Sequence, residues 1–194
     1  MGETLRVYTR QAAIMYEELQ RDGRYVCLEE YVRSKNDTIT DYYVSLYRWL
    51  AEGCKRRGMV VPQGAEFPIW LALTEEQKLG RVEGTVSLTL DIPREEVFIL
   101  DYDKWGDRVN YFYVPKDPAD EAAHQRDLER RGIANETAIT MGHAGNFHPD
   151  VKAKITRSWE RVFQPNEDMR KNVGICWEIL PEWVVDAQFG AEDE

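Results

Sequence analysis

The sequence predicts an α+β fold: one domain with a mixed, partly antiparallel sheet and helices packed against it. Three observations point there. Strand-like segments come singly near the N-terminus and cluster near the C-terminus, with helix-like segments between them, unlike the regular alternation that winds a parallel sheet. Val86 to Ile92 alternates, with Val86, Leu88, Leu90 and Ile92 on one face and Ser87, Thr89 and Asp91 on the other, the pattern of a half-buried strand. The length, 194 residues, fits one domain. A chain of that size buries roughly 70% of its unfolded surface, enough to fold without a metal or disulfide.

The elements follow in order. Leu5 to Thr9 reads as a first strand, with Leu5, Val7 and Thr9 sharing a face opposite Arg6, Tyr8 and Arg10. Ala12, Met15, Tyr16 and Leu19 recur at helical spacing, and Gly23 stops that helix. Arg24 to Leu28 is a short strand, and Ser34 to Asp37 is loop-like. Thr40 or Asp41 then caps a strong helix whose buried stripe is Tyr43, Leu46, Tyr47, Leu50 and Cys54. Phe67 to Leu73 is a strand, Thr74 to Gly80 a helical turn or loop, and Pro93 ends the alternating strand. The unbroken apolar run Val97 to Leu100 predicts a central strand. Asp117-Pro118 opens a helix, with Asp120 and Glu121 early and Arg130 and Arg131 late, as the helix dipole favours. Its apolar stripe is thin, so it is expected on the surface or as a lid. Met141 to His148 is a loop and Asp150 to Phe163 a helix. The last strands are Ile175 to Leu180 and Trp183 to Phe189, before a frayed tail over residues 190–194.

Composition narrows the function classes. Charged residues make up 31% and apolar residues 43%, with six Trp and ten Tyr, a globular rather than a disordered balance. The net charge of −10 argues against nonspecific binding to nucleic acid or to an anionic membrane. The one dense basic run, Lys55-Arg56-Arg57, falls at a helix end, where cations suit the dipole. Cys27, Cys54 and Cys176 are odd in number and far apart, without disulfide or zinc spacing. The opening residues lack an apolar signal core and no apolar run reaches bilayer length, so a cytoplasmic address is expected.

No phosphate-cradling glycine motif and no nucleophile elbow is present. His124, His143 and His148 have no metal-ligand spacing, so no metal is expected. Glu178 is the position that most invites chemistry. The alternation places it between Cys176 and Leu180 on a face that should be apolar, where an ionised carboxylate is costly unless paired or wet. The plain alternative is a half-exposed face or an ion pair with an arginine such as Arg10. Thr9 and Gln11 put polar groups at the end of an apolar strand face, as a ligand cleft or a helix cap requires. The run from Asp101 through Trp105 to Asn110 and Tyr113 follows a buried strand with carboxylates and aromatics, suiting a ligand pocket or a loop pinned by Asx turns and a packed Trp.

Leu5 to Gln11, Phe67-Pro-Ile-Trp70, Ile99 to Trp105 and on through Asn110, Ser158 to Phe163 and Trp177 through Trp183-Val184 together resemble an uncharacterised bacterial and phage family. Its members open Leu-Trp-Thr-x-Gln and later carry Pro-Ile-Trp, Asp-x-x-x-Trp and Ser-Trp-x-x-Ile-Phe patterns. The chain departs from them at Gly106, where a His is common, and lacks a Gln before Trp177. A weaker, fold-level resemblance is to ADP-ribosyltransferases, through the opening strand, helix and Gly23 and the late strand bearing Glu178. That resemblance implies an NAD-using enzyme in which Thr9, Arg10 and Gln11 hold the dinucleotide and a tyrosine such as Tyr43 or Tyr47 stacks on nicotinamide. Glu178 would then be the catalytic acid, stabilising positive charge on the sugar. Asp101, Trp105, Asn110 and Trp177 complete the pocket candidates. The alternative is a non-catalytic interaction protein, phage- or defence-related, that presents its acidic surface to a partner.

Overall fold

Residues Thr4–Ala12 form the first strand, β1, in the computed structural model, which describes residues 2–36 and 40–190. β1 runs antiparallel to β4 (Thr85–Pro93), in register from Thr4 opposite Pro93 to Ala12 opposite Thr85. The final strand, β8 (Val184–Phe189), lies antiparallel on the other edge of β4 with a bulge at Thr89/Leu90, giving the order β1-β4-β8. The alternation in β4 does what its period demands: Val86, Leu88, Leu90 and Ile92 are all buried. Helix α1 (Ala13–Asp22) covers that face with Met15 and Leu19, and Gly23 ends it in the left-handed region at φ 69°, its N–H bonding the Leu19 carbonyl.

A second ladder has the order β3-β6-β5, from Ile69–Leu71, Asn172–Cys176 and Phe98–Asp101. An isolated antiparallel bridge, Tyr8 opposite Ala72, joins β1 to the end of β3. A third, two-stranded ladder pairs β2 (Tyr25–Val26) with β7 (Glu178–Ile179). The continuous strand expected over Ile175 to Leu180 is therefore broken at Trp177. Register puts Pro68 opposite Trp177, and a proline has no N–H to extend the β3–β6 ladder. Past that point the chain pairs with β2 instead.

Helices α2 (Glu29–Asn36) and α3 (Thr40–Lys55) pack together. The expected loop over Ser34 to Asn36 is thus the end of α2. Asp37, and the tail beyond Gly190, lie outside the described residues. Gln77, in a 3-10 turn over Glu75–Gln77, ties the middle of the chain to its late part. Its side-chain oxygen accepts from the Leu73 and Thr74 amides, and its nitrogen donates to the Arg170 and Asn172 carbonyls.

Two units result: one contains the residues up to Ile99 together with those from Asp168 onward, and the other is Leu100–Glu167. The second unit is helical. The segment after β5, expected to be a pinned loop or a pocket, forms α4 (Tyr102–Val109). Then come α5 (Pro118–Arg131), α6 (Glu136–Met141) and α7 (Pro149–Ser158), the last running on as a 3-10 turn over Trp159–Phe163. Its buried apolar side chains include Trp105, Val114, Leu128, Ile139, Val151, Ile155, Trp159, Val162 and Phe163. Arg108 is buried with them, its guanidinium 3.9 Å from the Trp159 ring centre. Among the described residues no helix is long and apolar enough to cross a membrane.

Candidate functional site

In the first unit, several nominated residues gather around Trp70. The Thr9 hydroxyl donates to the Trp70 carbonyl at 2.9 Å, and the Gln11 amide donates to the Thr9 hydroxyl at 2.9 Å. The Tyr47 ring lies 6.2 Å from Trp70 and 6.2 Å from Tyr43. Arg10 points away from them and donates to the Gly80 carbonyl at 2.5 Å. Glu178 belongs to another ladder: β1 pairs with β4, whereas β7 pairs with β2. Its carboxylate meets an arginine, and that arginine is Arg24, at 2.5 Å, rather than Arg10. The carboxylate is 19% exposed, so this pair is partly screened by water. Trp177 is buried beside it, a packing residue at the strand break.

In the second unit, Asp101, Trp105 and Asn110 all serve α4. The Asp101 carboxylate caps the helix by accepting from the Lys104 amide at 3.0 Å and pairs with the Lys104 ammonium at 3.0 Å. Trp105 packs into the interior, and the Asn110 side chain donates back to the Gly106 carbonyl at 2.8 Å. The same helix turns Asp107 toward a pocket of about 420 Å³, a volume typical of small-ligand sites.

Three carboxylates reach this pocket from three helices: Asp107 from α4, Glu121 from α5 and Glu136 from the first position of α6. Among the described residues no lysine or arginine lines it. The electrostatic consequence falls on Asp107. Burial, followed by the repulsion of Glu121 and Glu136, pushes its carboxyl up to about 6. Glu136 is held in place: one oxygen accepts from the Tyr113 amide at 2.6 Å, and the other lies 3.4 Å from His124 Nε2. Asn135 caps α6 just before it, accepting from the Ala138 amide.

His124 is the buried member of the set, 1% exposed and stacked on the Tyr113 ring at 4.1 Å. The Lys154 ammonium sits 3.1 Å from its Nδ1. An ammonium only donates, so Nδ1 accepts and the neutral ring carries its hydrogen on Nε2. That Nε2 faces Glu136 at the pocket wall with no hydrogen-bond partner among the described residues. Phe112, 43% exposed, and Pro115, Leu128 and Ile133 supply the apolar lining. The residue before Phe112, Tyr111, takes φ 63°, a left-handed conformation that is unfavourable for a bulky side chain.

The residues that the sequence singled out in this segment, Asp101, Trp105 and Asn110, serve α4, and the pocket is lined by neighbours of theirs. Asp107 and Tyr113 lie inside the same run, but their approach to α5 and α6 depends on α4 being a helix. His124 and Glu121 did carry a signal. Glu121, His124, Gln125 and Leu128 stand at i, i+3, i+4 and i+7, one helical face mixing polar and apolar groups. A thin apolar stripe on that helix hid it.

A family model described as "Domain of unknown function (DUF3841)" matches residues 6–185. The chain belongs to the DUF3841 family. No curated protein and no solved structure matches it. The DUF3841 match takes in the whole pocket as well as Thr9 and Glu178. It agrees with the resemblance to an uncharacterised family, and it gives the ADP-ribosyltransferase resemblance no support.

Proposed function

We propose that this DUF3841 protein is a binding protein whose helical unit accepts a cationic organic group in the pocket formed by Asp107, Glu121 and Glu136. The observation that carries this reading is the convergence of three carboxylates on one cavity without a cation among its lining residues. Burial first, and then the repulsion of Glu121 and Glu136, disfavours the ionised form of Asp107 in this partly dry site. A bound cation offsets that repulsion and draws Asp107 into its ionised form. Binding and proton release are therefore linked. The apolar lining adds contact for a carbon skeleton. An anionic dinucleotide is a poor match for such a lining. The NAD-using reading rests instead on Glu178, whose carboxylate Arg24 already engages.

Calorimetric titration with methylguanidinium tests the proposal. Affinity is expected to drop by up to about tenfold as pH falls from about 7.5 to 5, through the value at which Asp107 takes up its proton. Near pH 6 the binding heat should vary with the ionisation enthalpy of the buffer. Saturation that does not change with pH, or that survives unaltered in Asp107→Asn, refutes the reading. Nicotinamide release from NAD, measured on the wild type and Glu178→Ala, is expected to stay at background in both.

A further inference from the structure

We infer that the open edge of β8 pairs with β8 of a second copy of this chain, antiparallel and centred on Ala187, to form a symmetric dimer. The inference concerns the first unit and goes beyond the pocket reading, which concerns the second. β8 is the last strand of its sheet: among the described residues it pairs with β4 alone. The Gly190 amide donates to the Thr85 carbonyl at 2.9 Å, which fixes the phase of that ladder. Hydrogen-bonded pairs recur at every second residue, so Gln188, opposite Ser87, and Asp186, opposite Thr89, also turn their backbone groups toward β4. Ala187 and Phe189 turn theirs to the open side, a template for a further strand.

The side chains along this edge complement their own copies. Phe189 is exposed, and so is Val185, which the bulge leaves without a partner on β4. Pairing about Ala187 sets Phe189 of each copy opposite Val185 of the other, so two apolar groups cover each other. The same register sets Gln188 opposite Asp186. Arg81 Nη2 donates to Gln188 Oε1 at 2.6 Å, and Gln188 Nε2 donates to Asp186 Oδ2 at 2.7 Å. Neither Arg81 nor Asp186 has an ion pair among the described residues. The two-fold axis carries Arg81 of each copy, on its Gln188, toward Asp186 of the other, and the charges complement one another twice. Sliding the centre to Asp186 sets that carboxylate against its own copy, which is unfavourable. Sliding it to Gln188 takes Asp186 away from Gln188 and Arg81. Both copies use the same patch, so the contact closes at two chains.

Sedimentation velocity of the full chain is expected to show a monomer–dimer equilibrium with a micromolar Kd, as suits a small interface. Ala187→Pro removes an outward N–H while sparing the bonds to β4, and should abolish the dimer with an unchanged far-ultraviolet spectrum. Should that variant misfold, charge reversals at two exposed positions decide the matter. Asp186→Arg and Arg81→Asp should each weaken self-association at least about fivefold, because each sets like charges together. An equimolar mixture of the two should restore it, because each mixed pair again sets arginine against aspartate. In amide exchange followed by NMR, Ala187 and Phe189 should slow as protein concentration rises, whereas Gln188 should not. A chain that stays monomeric to millimolar concentration overturns the inference. So does a dimer that persists in a folded Ala187→Pro, or a mixture of the charge variants that associates no better than either alone. Growth beyond two chains overturns the closed two-fold contact. Methylguanidinium binding is unaffected by any of these outcomes, so the two readings fail separately.

Discussion

Asp107 carries the clearest physical tension in the molecule. Its carboxyl is raised in the folded protein to about 6, against about 3.9 for an unperturbed aspartate. Between those values the native state holds a proton that the unfolded chain has released, so stability falls as pH rises. The stabilising contribution is complete at low pH and lost through about pH 6. Asp107→Asn should therefore be more stable than the wild type at pH 8, on the order of 1 kcal/mol after allowing for partial exposure, and indistinguishable from it near pH 4. Urea unfolding at the two pH values checks this. The same substitution should cost ligand affinity, the trade-off expected where a site is held in an unfavourable state for function. Replacing Glu178 has a different expected effect, one of ion-pair loss. Because it pairs with Arg24, Glu178→Gln should cost about 1 kcal/mol at neutral pH, read from the same unfolding curves. The sequence could mark Glu178 as an acid among apolar neighbours. It could not name Arg24, because that pairing depends on the β2–β7 ladder.

At the scale of elements, local rules were legible and long-range pairings were not. Gly23 as a helix stop, Asp117-Pro118 as a helix start and the inward face of β4 follow from local chemistry, and all three appear as expected. The break at Trp177 was not legible, because it arises from a proline that lies across the sheet and far away in sequence. α4 was missed because its Asp101 cap resembles an Asx turn until the helix beyond it is known. The segment that lines the pocket is pinned in a similarly nonlocal way. Ser158, buried at the end of α7, accepts the Val114 amide at 2.9 Å and donates to the Ile155 carbonyl at 2.6 Å. Ser158→Ala should strand that amide and cost about 1–3 kcal/mol, whereas Ser45→Ala, at an exposed site, should change stability by less than about 0.5 kcal/mol. Chemical denaturation of both variants checks the contrast.

At the scale of the whole molecule, the fold class was readable because composition and the order of elements constrain it. The discontinuous first unit was not, because nothing in a local window says that the last strands return to sheets begun by the first. β4 needs β8 on one edge, and β6 is the middle strand between β3 and β5. A chain truncated after Glu167 lacks both β6 and β8. It is expected to lose cooperative unfolding of the first unit, seen as a flat near-ultraviolet melt where the full chain gives a sigmoid. The order of synthesis gives this topology a further consequence. On the ribosome, the sheets begun by the first 99 residues must wait, with open edges, while the whole helical insert is translated. At about 5–20 residues per second that wait lasts several seconds. The nascent chain thus displays unpaired β-edges, the kind of surface that chaperones shield and aggregates capture.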